Sequence, residues 1–95
     1  MKLIISPLAA HRLREIQALI ALDGNLNAAL RVVLRIRQAA EMLTDFPRMA
    51  PRWQGGSTRA LVVSGLPYRI HYRVLADAVE IMTITHTSQK PQRFL

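Results

Sequence analysis

The sequence predicts an α+β fold in which an antiparallel two-helix hairpin packs on one face of a small, mainly antiparallel sheet of about four strands. Residues 58–86 carry the β-branched and aromatic content of three consecutive strands. Residues 7–22 and 26–45 repeat apolar side chains at helical spacing. Residues 2–5 form a further short strand, which we expect to pair inside the sheet beside one of the later strands. Together these elements make one domain over residues 1–95.

The three-strand region determines which surfaces the sheet presents. Ser64-Gly65-Leu66-Pro67 forms the first turn, because glycine accepts a positive φ and proline fixes its own. Leu75-Ala76-Asp77-Ala78 forms the second turn, without a glycine. Successive side chains of a strand point to opposite faces, so we expect one apolar, covered face and one basic face. The apolar face would hold Tyr68, Ile70, Tyr72 and Val74, and the basic face Arg69, His71 and Arg73.

Both predicted helices have recognisable ends. Ser6 is a good N-cap, and Pro7 suits the first helical position. Gly24 is the expected left-handed residue between the helices, and Asn25 or Asn27 can cap the second helix. So short a loop requires the two helices to pack antiparallel. The buried stripes are expected at Ala9, Leu13, Ile16 and Ile20, and at Leu26, Ala29 or Leu30, Val33, Ile36, Ala40 and Leu43.

The second helix is apolar over more than one face. The additional apolar residues can form a broad core contact, or they can line a groove that receives a partner. We favour the groove, because two helices on a four-stranded sheet cannot cover this much apolar surface.

Charge and composition narrow the class of protein. The chain has 11 Arg and 2 Lys against 6 acidic residues, a net charge of +7. Such a balance is typical of proteins that bind nucleic acid or an acidic protein, although it also serves solubility. The absence of cysteine excludes a disulfide framework and a thiol nucleophile. We find no signal peptide and no apolar run of membrane length, so we expect a cytoplasmic protein without membrane contact. We also expect neither a cofactor nor a metal.

The loop of residues 46–57 contains two prolines, two glycines, Arg48, Arg52 and Trp53. An arginine beside a tryptophan can stack on a nucleic acid base. A single tryptophan in such a loop more often anchors the loop onto the core, and we favour that interpretation.

Four sequence phrases follow one another along these elements: ISPLA-x-x-x-L-x-x-I, F-P-R-M, R-x-L-V-V-x-G-L-P-Y-R-I-x-Y-R-V and V-E-I-x-x-I-x-H. Their order and spacing resemble the RelE/ParE superfamily of type II toxins, and the ParE-like branch in particular. The resemblance implies a toxin that is neutralised by a cognate, ParD-like antitoxin encoded beside it. ParE-like toxins are associated with poisoning of DNA gyrase, whereas RelE-like toxins cleave messenger RNA on the ribosome.

The residues expected of an RNase are only partly present. RelE-like enzymes resemble one another in an arginine before the first turn, where Val63 and Ser64 stand here, and in a C-terminal tyrosine, which is missing. Ser88 and Gln89 stand where many ParE-like chains have arginines. Because the RNase residues are incomplete, we expect a gyrase-directed, non-enzymatic toxin and keep the endoribonuclease as the alternative. In an endoribonuclease, His86 and His71 would act as acid or base, and Arg69 and Arg73 would supply the cations.

Two binding surfaces follow from the resemblance and from the charge. Arg59, at the start of a strand, matches a frequent arginine of the family, and we expect it to bind an acidic group. A local salt bridge with Glu80 is the alternative. The target-binding residues are expected to be Arg59, Arg69, Arg73, His86 and Lys90. The antitoxin-binding residues are expected to be Leu30, Arg31, Leu34 and Arg35.

Overall fold

The computed structural model describes residues 1–89, and it contains the predicted strand, two helices and three further strands in the predicted order. The α+β fold is therefore confirmed, and the first three elements have the bounds that the sequence indicates. The elements are β1 (Lys2–Ile5), α1 (Pro7–Leu22), α2 (Leu26–Asp45), β2 (Arg59–Val62), β3 (Tyr68–Val74) and β4 (Ala78–His86).

The strands form one sheet in the order β1-β4-β3-β2. β4 pairs antiparallel with β3 and β3 antiparallel with β2, whereas β1 runs parallel to β4. The expectation that β1 pairs inside the sheet is wrong, since β1 lies at an edge. The two hairpins of β2, β3 and β4 already occupy both sides of β3, so β1 can pair only at an edge of this three-stranded unit, and it pairs with the free side of β4.

A β-bulge interrupts β4 at Met82. Two successive residues of β3 pair with Thr83 and Ile81, which leaves Met82 as an extra residue between them. The extra residue reverses the alternation of side chains along β4. Ile81 before the bulge and Ile84 after it are consequently both buried in the same core, although a regular strand would place them on opposite faces.

Ser6 joins the start of α1 to this bulge. Its hydroxyl accepts a hydrogen bond from the backbone N–H of Ala9 at 3.1 Å and donates one to the Met82 carbonyl at 2.7 Å. Its own N–H donates to the Ile81 carbonyl at 3.0 Å. One short polar residue therefore caps a helix and holds the irregular part of the central strand.

The helical hairpin has the predicted caps. Gly24 has φ = +80°, a value that glycine adopts without steric cost. The Asn25 side chain accepts a hydrogen bond from the Ala28 N–H at 2.9 Å and so caps α2. Within residues 1–89, neither helix combines the length and the apolar character needed to cross a bilayer.

The core lies between the hairpin and one face of the sheet, which we call the helix face. Most of the predicted stripes are buried there, but Leu26, the first residue of α2, is 57% exposed. Ile20 and Val33 are half-buried at its border. The buried members of the core are Ala9, Leu13, Ile16, Ile36, Ala40, Leu43, Ala50, Val63, Ile70, Tyr72, Val79, Ile81 and Ile84.

The loop of residues 46–57 wraps around the outer edge of β2. The N–H of Ala60 donates to the Pro51 carbonyl at 3.2 Å, so part of the edge strand is covered. On the helix face, the Tyr72 hydroxyl donates to the Pro47 carbonyl at 2.8 Å. Beyond the edge, Trp53 reaches the opposite face of the sheet, which we call the loop face.

We expect Ser6→Ala to lower the free energy of unfolding by about 2–3 kcal/mol, because it removes a helix cap and leaves the Met82 carbonyl without its hydroxyl donor. Asn25→Ala is the matched control, since it removes a cap alone and should cost about 1 kcal/mol. Urea unfolding of both variants measures the difference. An equal loss in the two variants would show that the link to the bulge contributes nothing.

Candidate functional site

Two open depressions lie next to each other along α2 and the β2–β3 turn, and we call them together the α2 groove. Two cavities of about 380 and 320 Å³ follow one another there. The first is lined by Ala28, Arg31, Val32, Leu34, Arg35 and Leu66. The second is lined by Arg35, Gln38, Ala39, Met42, Met49, Leu61, Val62, Val63 and Ser64.

Large apolar side chains stand exposed in and beside this groove. Leu30 and Leu34, one helical turn apart, are 49% and 55% exposed. Met42 and Met49 are exposed to a similar degree around the second cavity. Exposed apolar side chains gathered in this way are typical of a surface that binds another chain. The predicted antitoxin-binding residues are therefore brought together on one accessible surface.

Arg35 lies between the two cavities and holds the adjacent turn. Its Nη2 donates to the carbonyl oxygen of Ser64. In that turn the N–H of Leu66 donates to the Val63 carbonyl at 3.1 Å, and Gly65 has φ = +77°. This is the geometry of a type II turn, whose middle carbonyl is left for an outside donor.

The second predicted surface, on the loop face, is less basic than the sequence suggests. His71 is only 2% exposed, and the ring of Trp53 packs edge-on against it with 5.1 Å between the centroids. Its Nε2 lies 2.9 Å from the Thr85 hydroxyl. Burial, together with the nearby Arg69 guanidinium, lowers the pKa of His71 from 6.5 to about 4. His71 is therefore a neutral, structural residue at pH 7.

The two arginines of this face are both engaged within the chain. The guanidinium of Arg69 lies over the Trp53 ring, 4.8 Å from its centroid. Arg73 forms an ion pair with Glu80, directly across from it on β4. Trp53 thus anchors its loop onto the sheet, as predicted, and the basic face consists of one stacked cation and one paired cation.

His86 lies on the helix face, and the expectation that it continues the basic face is wrong. Its ring contacts Tyr68 edge-on at 5.5 Å, and both residues border a cleft against α1. The backbone N–H of Ser88 donates to His86 Nδ1 at 3.1 Å. In the neutral ring the proton therefore lies on Nε2, which is a donor and not a base. The bulge at Met82 is the cause of this placement.

Arg59 does not form the alternative salt bridge with Glu80, because Glu80 pairs with Arg73 and lies two strands away. It is half-buried, and its Nη1 donates to the Ala50 carbonyl at 2.7 Å. Arg59 thereby holds the loop of residues 46–57 against the sheet. Lys90, the remaining predicted target contact, lies outside the described residues.

The positions of the two histidines limit the chemistry of the sheet. His71 lies on the loop face beneath Trp53, and His86 lies on the helix face beside α1. They cannot act as acid and base on one phosphate, which would require both side chains within hydrogen-bond reach of one substrate. Within residues 1–89, no three histidine or carboxylate side chains lie close enough together to hold a metal ion.

Several residues of the α2 groove were not predicted from the sequence to belong to a binding surface. Met49 comes from the loop after α2, and Leu66 comes from the β2–β3 turn. The available signal was a large apolar side chain in a segment where turns usually carry polar residues. Ser64 gave no such signal, because its backbone carbonyl and not its side chain meets Arg35.

The fold and the open groove define a small two-layer α+β domain with a surface suited to binding another chain. The same fold occurs in a solved structure described as "Chromosomal ParDE TA system from P. aeruginosa", with a TM-score of 0.81 and 23% identity. That match covers 90% of this chain and 95% of the other. The chain is also 43% identical over 82 residues to "Putative toxin Y4kP" of Sinorhizobium fredii (strain NBRC 101917 / NGR234), covering 86% of this chain and 83% of that protein.

The family described as "ParE toxin of type II toxin-antitoxin system, parDE" matches residues 3–91. The chain belongs to this family and is a ParE-type toxin of a type II toxin–antitoxin system. The predicted ParE-like branch of the RelE/ParE superfamily is thereby confirmed.

The buried His71 predicts a distinct dependence of stability on pH. Unfolded chains bind a proton at this residue near pH 6.5, but the folded protein binds it only near pH 4. The free energy of unfolding should therefore fall as the pH drops from 6.5 to 4, by about 3 kcal/mol from this residue, and should keep this contribution above pH 6.5.

Urea unfolding between pH 4 and 7 measures this slope for the wild type, His71→Gln and the control His11→Gln on the exposed side of α1. We expect H71Q to flatten the slope and H11Q to keep it. An unchanged slope in H71Q would contradict the assignment of the lowered pKa to a buried, neutral His71.

Proposed function

We propose that this toxin inhibits DNA gyrase by binding, without cleaving RNA, and that a cognate ParD-like antitoxin neutralises it in the cytoplasm. The observation that carries this proposal is the separation of the two histidines on opposite faces of the sheet. The alternative, an endoribonuclease acting on translated mRNA, needs a convergent set of catalytic groups.

Cleavage of RNA at the 2′-OH requires a base, cations for the charge that develops at phosphorus, and an acid for the leaving oxygen. His71 is buried and His86 presents a donor at Nε2. Arg69 and Arg73 share the loop face with His71 but not with His86. This arrangement supports a surface that binds over one that cleaves.

We assign the target contact to the loop face around Arg69 and Arg73. The two residues are four apart on β3, so their Cα atoms are separated by roughly 13 Å. Such a distance exceeds the ~7 Å between neighbouring phosphates of an extended nucleic acid strand. The spacing suits extended contact with a polyanionic assembly, such as gyrase on its DNA, better than contact with one reacting phosphate.

We assign the antitoxin contact to the α2 groove. Its exposed leucines and methionines would bury against apolar side chains of the partner, and its arginines would meet acidic ones. An acidic, amphipathic segment fits both properties. Binding there would leave Arg69 and Arg73 uncovered, because neither residue lines the groove.

Two assays on the same preparations separate gyrase inhibition from RNA cleavage. We expect purified toxin to accumulate cleaved DNA in the presence of gyrase, and primer extension after induction to show no new mRNA ends. His86→Gln should keep most of the growth inhibition at matched soluble expression. Arg69→Gln combined with Arg73→Gln should abolish it. New mRNA ends, together with an inactive but folded H86Q variant, would favour the endoribonuclease.

Arg31, exposed at the entrance of the groove, should steer an acidic antitoxin during association. We expect Arg31→Glu to slow association several-fold and to weaken its salt dependence, with a smaller effect on dissociation. Arg14→Glu on α1 makes the same change of charge outside the groove. Stopped-flow mixing measures both rates, and equal slowing by the two variants would mean that net charge alone is responsible.

A further inference from the structure

We infer that Arg35 is the specificity residue of the α2 groove and that it selects a partner segment carrying one carboxylate between two apolar anchors. The inference rests on the proposed antitoxin contact and names the chemistry that the antitoxin segment must have.

Arg35 has a position that no other lining residue shares. It borders both cavities of the groove, whereas every other residue lines only one of them. Leu34 and Leu66 lie on one side of it, and Met42 and Met49 lie on the other. A segment that fills both cavities must therefore pass over the Arg35 guanidinium, with apolar side chains before and after that point.

The present acceptor of Arg35 is a neutral one. Its guanidinium donates to the Ser64 carbonyl at the exposed surface, and none of the residues lining the two cavities is acidic. A carboxylate accepts two parallel hydrogen bonds from a guanidinium and forms a stronger, charge-assisted pair than a carbonyl does. A partner carboxylate can therefore replace the Ser64 carbonyl as the acceptor of Arg35. The carboxylate pair becomes more favourable relative to the carbonyl as the segment excludes water from the groove.

The same residue discriminates against other segments. A purely apolar segment would cover the Arg35 charge without supplying a new acceptor, which is costly in a groove that loses its water. A basic residue at that point would be repelled by both Arg35 and Arg31. Apolar anchors alone would bind many helices, so the requirement for a carboxylate between them provides the selectivity.

A purely structural role for Arg35 makes a different prediction. If the guanidinium serves only to hold the β2–β3 turn, its loss would loosen Ser64 and Leu66 and weaken every partner equally. If it pairs with a partner carboxylate, its loss matters only while that carboxylate is present. A double-mutant cycle between toxin and partner distinguishes the two roles.

The probe is the protein encoded by the reading frame beside the toxin gene, purified and bound to the full toxin chain. We expect Arg35→Gln to raise the dissociation constant at least tenfold, mainly through faster dissociation. Arg35→Lys, which keeps the charge but loses the planar fork, should fall between R35Q and the wild type. Arg37→Gln is the matched control on the same helix, because Arg37 lines the cleft towards α1, and it should change binding less than threefold.

The second arm replaces each acidic residue of the partner singly by its amide. We expect one such replacement to weaken binding tenfold or more to the wild-type toxin and less than twofold to R35Q. Alanine replacements of large apolar residues on both sides of that position should also weaken binding.

The possible outcomes separate this inference from the proposed function. If the neighbouring protein does not bind the wild-type toxin, the antitoxin proposal fails. If it binds, but no acidic residue is coupled to Arg35, or R35Q behaves like R37Q, the specificity role is wrong while the antitoxin proposal stands. Thermal unfolding of each variant verifies the fold, and R35K supplies the comparison should R35Q unfold.

Discussion

The hydroxyl of Ser6 connects elements that are 76 positions apart in sequence, and the arrangement of the whole sheet depends on this connection. By accepting from Ala9 and donating to the Met82 carbonyl, it sets the start of α1 against the bulge of β4. β4 is the strand that pairs with both β1 and β3, so its bulge sets the phase of side chains across the sheet. Without that change of phase, Ile81 and Ile84 could not both enter one core.

The bulge also explains where prediction from the sequence succeeded and where it failed. Helix and strand bounds follow from local signals such as Ser6-Pro7 and Gly24, and these were predicted well. The faces of β4 depend on a non-local irregularity, which a period of two does not reveal. Regular alternation from Ile81 places His86 on the loop face, whereas the bulge places it beside α1. The signal was present in the three-residue spacing of Ile81 and Ile84, because two core residues of a regular strand are separated by an even number of positions.

The loop of residues 46–57 was the other region in which local patterns were insufficient. Its composition indicated a loop, and its tryptophan indicated an anchor, but the anchoring partners come from β2 and β3. Arg59 holds the Ala50 carbonyl and Tyr72 holds the Pro47 carbonyl. These hydrogen bonds join a side chain to a backbone carbonyl 9 and 25 positions away, and the identity of a residue does not show which backbone carbonyls accept hydrogen bonds. Arg59 was predicted to bind an acidic group because its position resembles a frequent arginine of the family, and the contact of Arg59 with the loop was not predicted.

The arginines of this toxin differ in whether their hydrogen-bond acceptors neutralise the positive charge. Arg73 is neutralised by Glu80, whereas Arg59 and Arg35 donate to neutral carbonyls and keep their full charge. Arg59 is half-buried, and its guanidinium already holds the loop of residues 46–57. Arg35 lies in an open groove, where exchange of a carbonyl for a carboxylate requires no change in the core. Apolar exposure and uncompensated charge therefore coincide in the α2 groove, and an acidic, amphipathic segment of the kind proposed would match both.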